Sequence, residues 1–132
     1  SARALDYTYP PIVRMRSTCV EPGESTFEDM IADIEHGIYA VGSSGGQTNG
    51  EMFNFNAGHG YMIRDGETAE LVRDVRLMGN VFTALKNIDM IGDTPRGWNS
   101  AGGCGKDGQA PLPTGGVNPR LRMQNVIIGG DA

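Results

Sequence analysis

Histidine, cysteine and basic charge are scarce in this chain. Its 132 residues include two His, two Cys, one Trp and 11 Lys+Arg against 16 Asp+Glu, a formal net charge of −5. That balance has the wrong sign for a surface that grips phosphate backbones, so direct nucleic-acid binding is not expected. The nearest basic pairs, Arg14 with Arg16 and Arg120 with Arg122, are alternate residues on predicted strands and read as solvated faces. No apolar run approaches the ~18 residues a membrane span needs, and the N-terminus lacks the basic, apolar, small-residue order of a signal peptide. The chain therefore reads as cytoplasmic, without a membrane partner, and Cys19 and Cys104 read as thiols or ligands rather than a disulfide. His36 and His59 lie 23 residues apart and neither belongs to an H-E-x-x-H pattern, so by themselves they make no metal site.

Glycine is abundant instead: 20 residues, roughly twice the ~7% of average proteins, in no three-residue period, with 39% of the chain still apolar. Collagen and simple disorder are excluded, and the length fits one domain. Residues 1–10 read as a flexible lead-in, and Pro10-Pro11 opens an extended segment over Ile12–Val20, where Cys19 reads as a buried small hydrophobe. A helix is predicted from Ser25 to His36: Ser25 and Glu28 have capping-box spacing, and Phe27, Met30, Ile31 and Ile34 fall at i, i+3, i+4 and i+7. His36 then sits in its last turn and Gly37 ends it. Strands are predicted over Ile38–Val41 and Glu51–Ala57. A hairpin follows, Tyr61–Arg64 turning at Asp65-Gly66 into Thr68–Leu77. His59 reads as a turn histidine. Val81, Phe82 and Leu85 mark a short helix within Gly79–Asn87, and Ile88–Ile91 a brief strand. Gly92–Gly116 holds eight glycines and three prolines in 25 residues, reading as a long functional loop with strand inside Gly97–Cys104 and Gln109–Pro113. Arg120–Ile128 closes the chain as a strand.

Ser43-Ser44 has no neighbouring base to make a nucleophile, and Gly42–Gly46 lacks the Gly-Lys-Ser/Thr ending and following helix of a phosphate loop. For Gly45, Gly46 and Gln47 two readings stay open, a tight structural turn and a bare backbone that meets an extended peptide. Cys104 sits in Gly102-Gly103-Cys104-Gly105-Lys106, surrounded by backbone and one cation, which favour the thiolate that binds metals or attacks carbonyls. A small residue packed in a glycine loop is the competing reading. Lys106 and Gln109 could position that loop, and a solvated Lys106 is equally open.

Gly103-Cys104-Gly105-Lys106-Asp107-Gly108-Gln109, with Pro111–Pro113 and Val126-Ile127-Ile128-Gly129-Gly130, resembles the C-G-K-x-G-Q signature of the TldD/PmbA metalloproteases, also called modulators of DNA gyrase. Pro11-Ile12-Val13-Arg14-Met15, Pro22-Gly23, Gly37-Ile38-Tyr39, Gly45-Gly46-Gln47, Phe53-Asn54-Phe55 and Tyr61-Met62-Ile63 resemble the same family's C-terminal region in order. The resemblance implies a dimeric protease, homo- or heteromeric, acting on small or unfolded peptides. It implies a zinc or other divalent ion held by two histidines of an H-E-x-x-x-H helix and by a cysteine at the position of Cys104, with the helix glutamate as base. No such helix occurs in these residues, so the chain is expected to be the C-terminal portion of a longer protein and inactive alone, with weak metal binding at most.

The expected fold is α+β, mainly antiparallel β, a curled sheet or partly open barrel with one packed helix and a second short one. The expected function is the domain of a TldD-like metal-dependent peptidase that supplies Cys104 as metal ligand, with Lys106 and Gln109 as positioning residues and Gly45–Gln47 as a peptide contact. The alternative is a non-catalytic peptide-binding or assembly module, including a PmbA-like partner subunit.

Overall fold

The computed structural model describes residues 1–129 and, at Ala101, the backbone alone. Gly130, the last residue of the closing signature, lies outside the described residues. Along the chain, β1 (Ala2–Arg3) and β2 (Ile12–Val13) precede α1 (Phe27–Ile31) and β3 (His36–Val41). There follow β4 (Gly45–Asn49), β5 (Met52–Asn56), β6 (His59–Arg64), β7 (Glu67–Val72) and β8 (Arg76–Asn80). Then α2 (Val81–Lys86) leads to β9 (Ile88–Ile91), β10 (Arg96–Lys106), β11 (Gln109–Asn118), β12 (Leu121–Met123) and β13 (Ile127–Gly129). The strand ladders are antiparallel, the class is α+β with two short helices, and no sheet of the described residues closes into a barrel.

The chain divides into two compact units. The first comprises Ser1–Gly23 and Asp93–Arg120. Within residues 1–10, β1 pairs with β2, Ala2 opposite Val13. The strand expected over Ile12–Val20 stops at Val13: Arg14 N still continues the β1 ladder to Ser1 O, and beyond it Thr18 N bonds Gly115 O instead. Cys19 is exposed, not buried. The glycine-rich stretch expected as a long loop is chiefly a hairpin, β10 against β11 from Arg96 opposite Asn118 to Lys106 opposite Gln109. Its turn, Asp107-Gly108, has positive φ at both residues (49° and 74°), the mirror-image turn that matches strand twist. Glycine is required within the strands where backbones approach: a Cβ on Gly115 would lie 2.7 Å from Trp98 O.

The second unit comprises Glu24–Gly92 and the residues from Leu121 onward. It contains the sheets β3-β6-β7, β13-β8-β5-β4 and β12-β9, and buries Met30, Ile31, Ala57, Ile63 and Val75. The helix expected over Ser25–His36 spans only Phe27–Ile31, and its capping box is Thr26 with Asp29, one residue later than predicted. It ends early because the β6–β7 turn takes the carbonyls that further turns would use: Gly66 N donates to Ile34 O and Asp65 N to Glu35 O. His36 and Gly37 therefore belong to β3 and not to a helix end. His59, expected in a turn, opens β6 and meets Tyr61 edge-on at 5.6 Å. The Asp65-Gly66 hairpin forms as read, but its second strand stops at Val72, and β8 starts at Arg76 after Asp74 takes a positive φ. The closing strand is likewise divided, into β12 and β13. Arg122, read as solvated, is largely covered: its guanidinium bonds Asp89, Asp33 and Met30 O. That contact holds the Asp89 carboxyl at about 2, well below its usual range.

Candidate functional site

Cys104 lies in β10 between two register irregularities, one separating it from Ser100 and one from Lys106. Its α-carbon faces Leu112, which is buried. Gly103 immediately before it has a φ of +60°, and a Cβ there would lie 2.7 Å from Leu112 O, so only glycine lets the chain bend into this position. The thiol is partly exposed and unpaired.

Three side chains lock this bend onto the N-terminal segment. Arg14 Nη2 donates to Cys104 O at 2.6 Å and to Gln109 O at 2.9 Å. Gln109 Nε2 donates to Pro10 O at 3.1 Å, while its Oε1 accepts from Leu5 N at 2.8 Å. Lys106 Nζ donates to Val13 O at 3.1 Å. Hydrogen bonds thus run both ways between residues 5–14 and the hairpin tip, and the tip's position is defined by directional contacts.

Arg14 is the residue that sequence reasoning missed. Read as one of two solvated arginines, it is 5% exposed, and its Nε and Nη1 are buried without an acceptor. Its charge is met by two carbonyl dipoles rather than a carboxylate, a costly arrangement kept only where the geometry it fixes is needed. Gln109, 2% exposed, is the other buried polar residue among the described residues. The alternation that put Arg14 beside Arg16 on one wet face assumes a regular strand, and the strand ends one residue earlier.

Gly45, Gly46 and Gln47 belong to the second unit, in β4, where they pair with Asn56, Phe55 and Asn54. β4 ends its sheet, and all five of its residues are exposed. Gly46 is a close-approach glycine, since a Cβ would lie 2.5 Å from Asn54 O. His36 is exposed, 4.0 Å from the Glu35 carboxylate. Among the described residues no three His, Cys, Asp or Glu side chains converge as a metal centre. Cys104 offers a single soft donor.

A profile of the PmbA/TldA metallopeptidase C-terminal domain matches residues 1–130. The chain belongs to this family. It is 52% identical over all of its length to a metalloprotease of Synechocystis sp., and 30% identical over 98% of its length to a zinc metalloprotease TldD homologue of Saccharolobus solfataricus. It spans 28% and 29% of those relatives' lengths. The fold is similar to that of TldE from Thermococcus kodakarensis, with a TM-score of 0.67 and 22% identity over 91% of this chain and 25% of that one. A candidate modulator of DNA gyrase from Bacteroides thetaiotaomicron is similar at a TM-score of 0.62 and 23% identity, over 83% of this chain and 22% of that one. No helix among the described residues is long and apolar enough to cross a membrane.

Proposed function

We propose that this PmbA/TldA-family chain serves as the C-terminal domain of a TldD-like metal-dependent peptidase, and that Cys104 contributes one thiolate ligand to a zinc or other divalent ion. The remaining ligands and the base come from an H-E-x-x-x-H helix in a region outside these residues. One observation carries the reading: the single accessible thiol of the signature stands on a backbone whose carbonyl is pinned by a buried arginine. Contacts that orient a ligand typically change metal affinity by about 10–100-fold. Arg14, Lys106 and Gln109 are then positioning residues for Cys104.

The substrate is a small or unfolded peptide, with the exposed backbone edge of β4 at Gly45–Gln47 as a place for an extended peptide to add as a strand. The protein works as a dimer in the cytoplasm, where its two free cysteines remain thiols. Cys104→Ala in the full-length protein is expected to lose both bound metal and peptidase activity; undiminished metal content and turnover remove Cys104 from the site. The 132-residue chain alone is expected to show no metal-dependent turnover, and measurable turnover would contradict the assignment. The alternative role, a non-catalytic partner subunit that captures peptides, is tested by whether the intact protein contains the H-E-x-x-x-H helix.

A further inference from the structure

An open cleft of about 590 Å³ lies within the first unit. Arg3 and Arg16 line it and, among the described residues, no carboxylate does, although acidic residues outnumber basic ones 16 to 11 in the chain. Arg3 is fixed in orientation: its Nη1 donates to Met15 O at 2.6 Å and to Pro113 O at 3.0 Å. The opposite edge of its guanidinium, Nε with Nη2, has no protein acceptor among the described residues and is not buried. That edge is the fork that receives two oxygens of one planar anion. Arg16 is exposed and makes no hydrogen bond or ion pair among the described residues, so its charge is uncommitted.

Trp98 contributes an aromatic surface that is 40% exposed. Gly97, Gly115 and Gly116 also line the cleft. A Cβ on Gly116 would lie 2.1 Å from Thr18 O and 2.8 Å from Trp98 Nε1, so glycine there is required by the Thr18 backbone and lets the indole lie close as well. Two cations, one of them preoriented, lining one cleft with an aromatic face match a carboxylate that neighbours an apolar group.

We propose that this cleft binds a carboxylate of a peptide, with Arg3 and Arg16 on its oxygens and Trp98 against the adjacent apolar side chain. The inference rests on the peptidase reading for the nature of the ligand, but Cys104 does not line the cleft. The carboxylate belongs either to the peptide's C-terminus or to an Asp or Glu side chain. Fluorescence anisotropy on the full-length protein, metal-loaded and chelated, distinguishes the sources with three labelled peptides of one core sequence: C-terminal acid, C-terminal amide, and amide with an internal Glu. One carboxylate form is expected to bind about tenfold more tightly than the plain amide, with or without chelator. Arg16→Gln is expected to abolish most of that preference without changing the affinity of the amide or the melting temperature. Arg3→Lys, which keeps the charge and loses the fork, is expected to weaken it as well. Equal affinity for all three peptides overturns the proposal, as does a preference unchanged in Arg16→Gln. So does equal competition by inorganic phosphate or an oligonucleotide, which would assign the cleft to phosphate. A preference that vanishes on chelation places carboxylate recognition on the metal, overturning the cleft while leaving the peptidase reading intact. Absence of peptidase activity with the preference retained does the reverse.

Discussion

The two units of this chain are held by different physics. In the second, Met30, Ile31, Ala57, Ile63 and Val75 form an apolar core, and its chief charged cluster, Arg122 with Asp89 and Asp33, lies nearer the surface. In the first, two of the three buried side chains noted above are Arg14 and Gln109, with Leu112 the apolar one, and their partners are main-chain groups. Hydrophobic burial is non-directional and tolerates small shifts, whereas a hydrogen bond fixes distance and angle. The apolar unit is built to be stable, and the polar one to put particular backbone atoms in particular places.

Substitutions can break that contrast, the largest effect first. Met30→Ala in the second unit should cost about 2–5 kcal/mol in urea unfolding, the usual range for a buried Met; a smaller loss would mean that α1 is not part of the core. Gln109→Leu keeps the volume but strands the Leu5 amide and the Pro10 carbonyl, and should cost about 1–3 kcal/mol. Hydrogen exchange should show the Leu5 amide losing protection while the amides of β6 keep theirs. If β6 opens equally, the two units are not separately held. Gly103→Ala should cost about 1–2 kcal/mol from its left-handed backbone alone, before any contact with Leu112 O. It should also change the rate at which Cys104 reacts with a thiol reagent, and an unchanged rate would show that the bend does not set the thiol's position.

The smallest effect belongs to the surface cluster. Asp89 has its pKa lowered to about 2 by Arg122, so its contribution is fully present above the ordinary carboxylate range and is lost as pH falls through about 2. Being partly exposed, the pair should contribute only about 0.5–1 kcal/mol. Asp89→Asn should therefore flatten the acid limb of the stability curve between roughly pH 4 and pH 2. An acid limb identical to that of the parent would remove the pair from the balance.

Much of the second unit was legible because local rules and tertiary demands agree there. The Asp65-Gly66 turn, β3, β5 and α2 follow from dipeptide and period alone. The first unit was less so. Asp107-Gly108 is the same dipeptide with nearly the same φ values, yet the surrounding glycines and prolines mask the strand pattern on either side. Gly103, Gly115 and Gly116 are close-approach positions, whereas Gly97 and Gly102 face open space, and only the partner strand reveals the difference. The C-G-K-x-G-Q pattern marked Cys104, Lys106 and Gln109 without showing what they touch. Arg14 could not be placed from its neighbours, because the carbonyls that bury it lie 90 and 95 residues away in sequence.

That separation governs when the clamp can exist. At about 5–20 residues per second, the segment carrying Arg14 leaves the ribosome roughly 5–20 s before the carbonyl it must hold. Most of the second unit emerges in the interval, so residues 1–23 wait as an unpartnered strip while the middle of the chain collapses. The Cys104 bend is then among the last features to form, and the thiol takes its place in the hairpin only when most of the scaffold beneath it has been made.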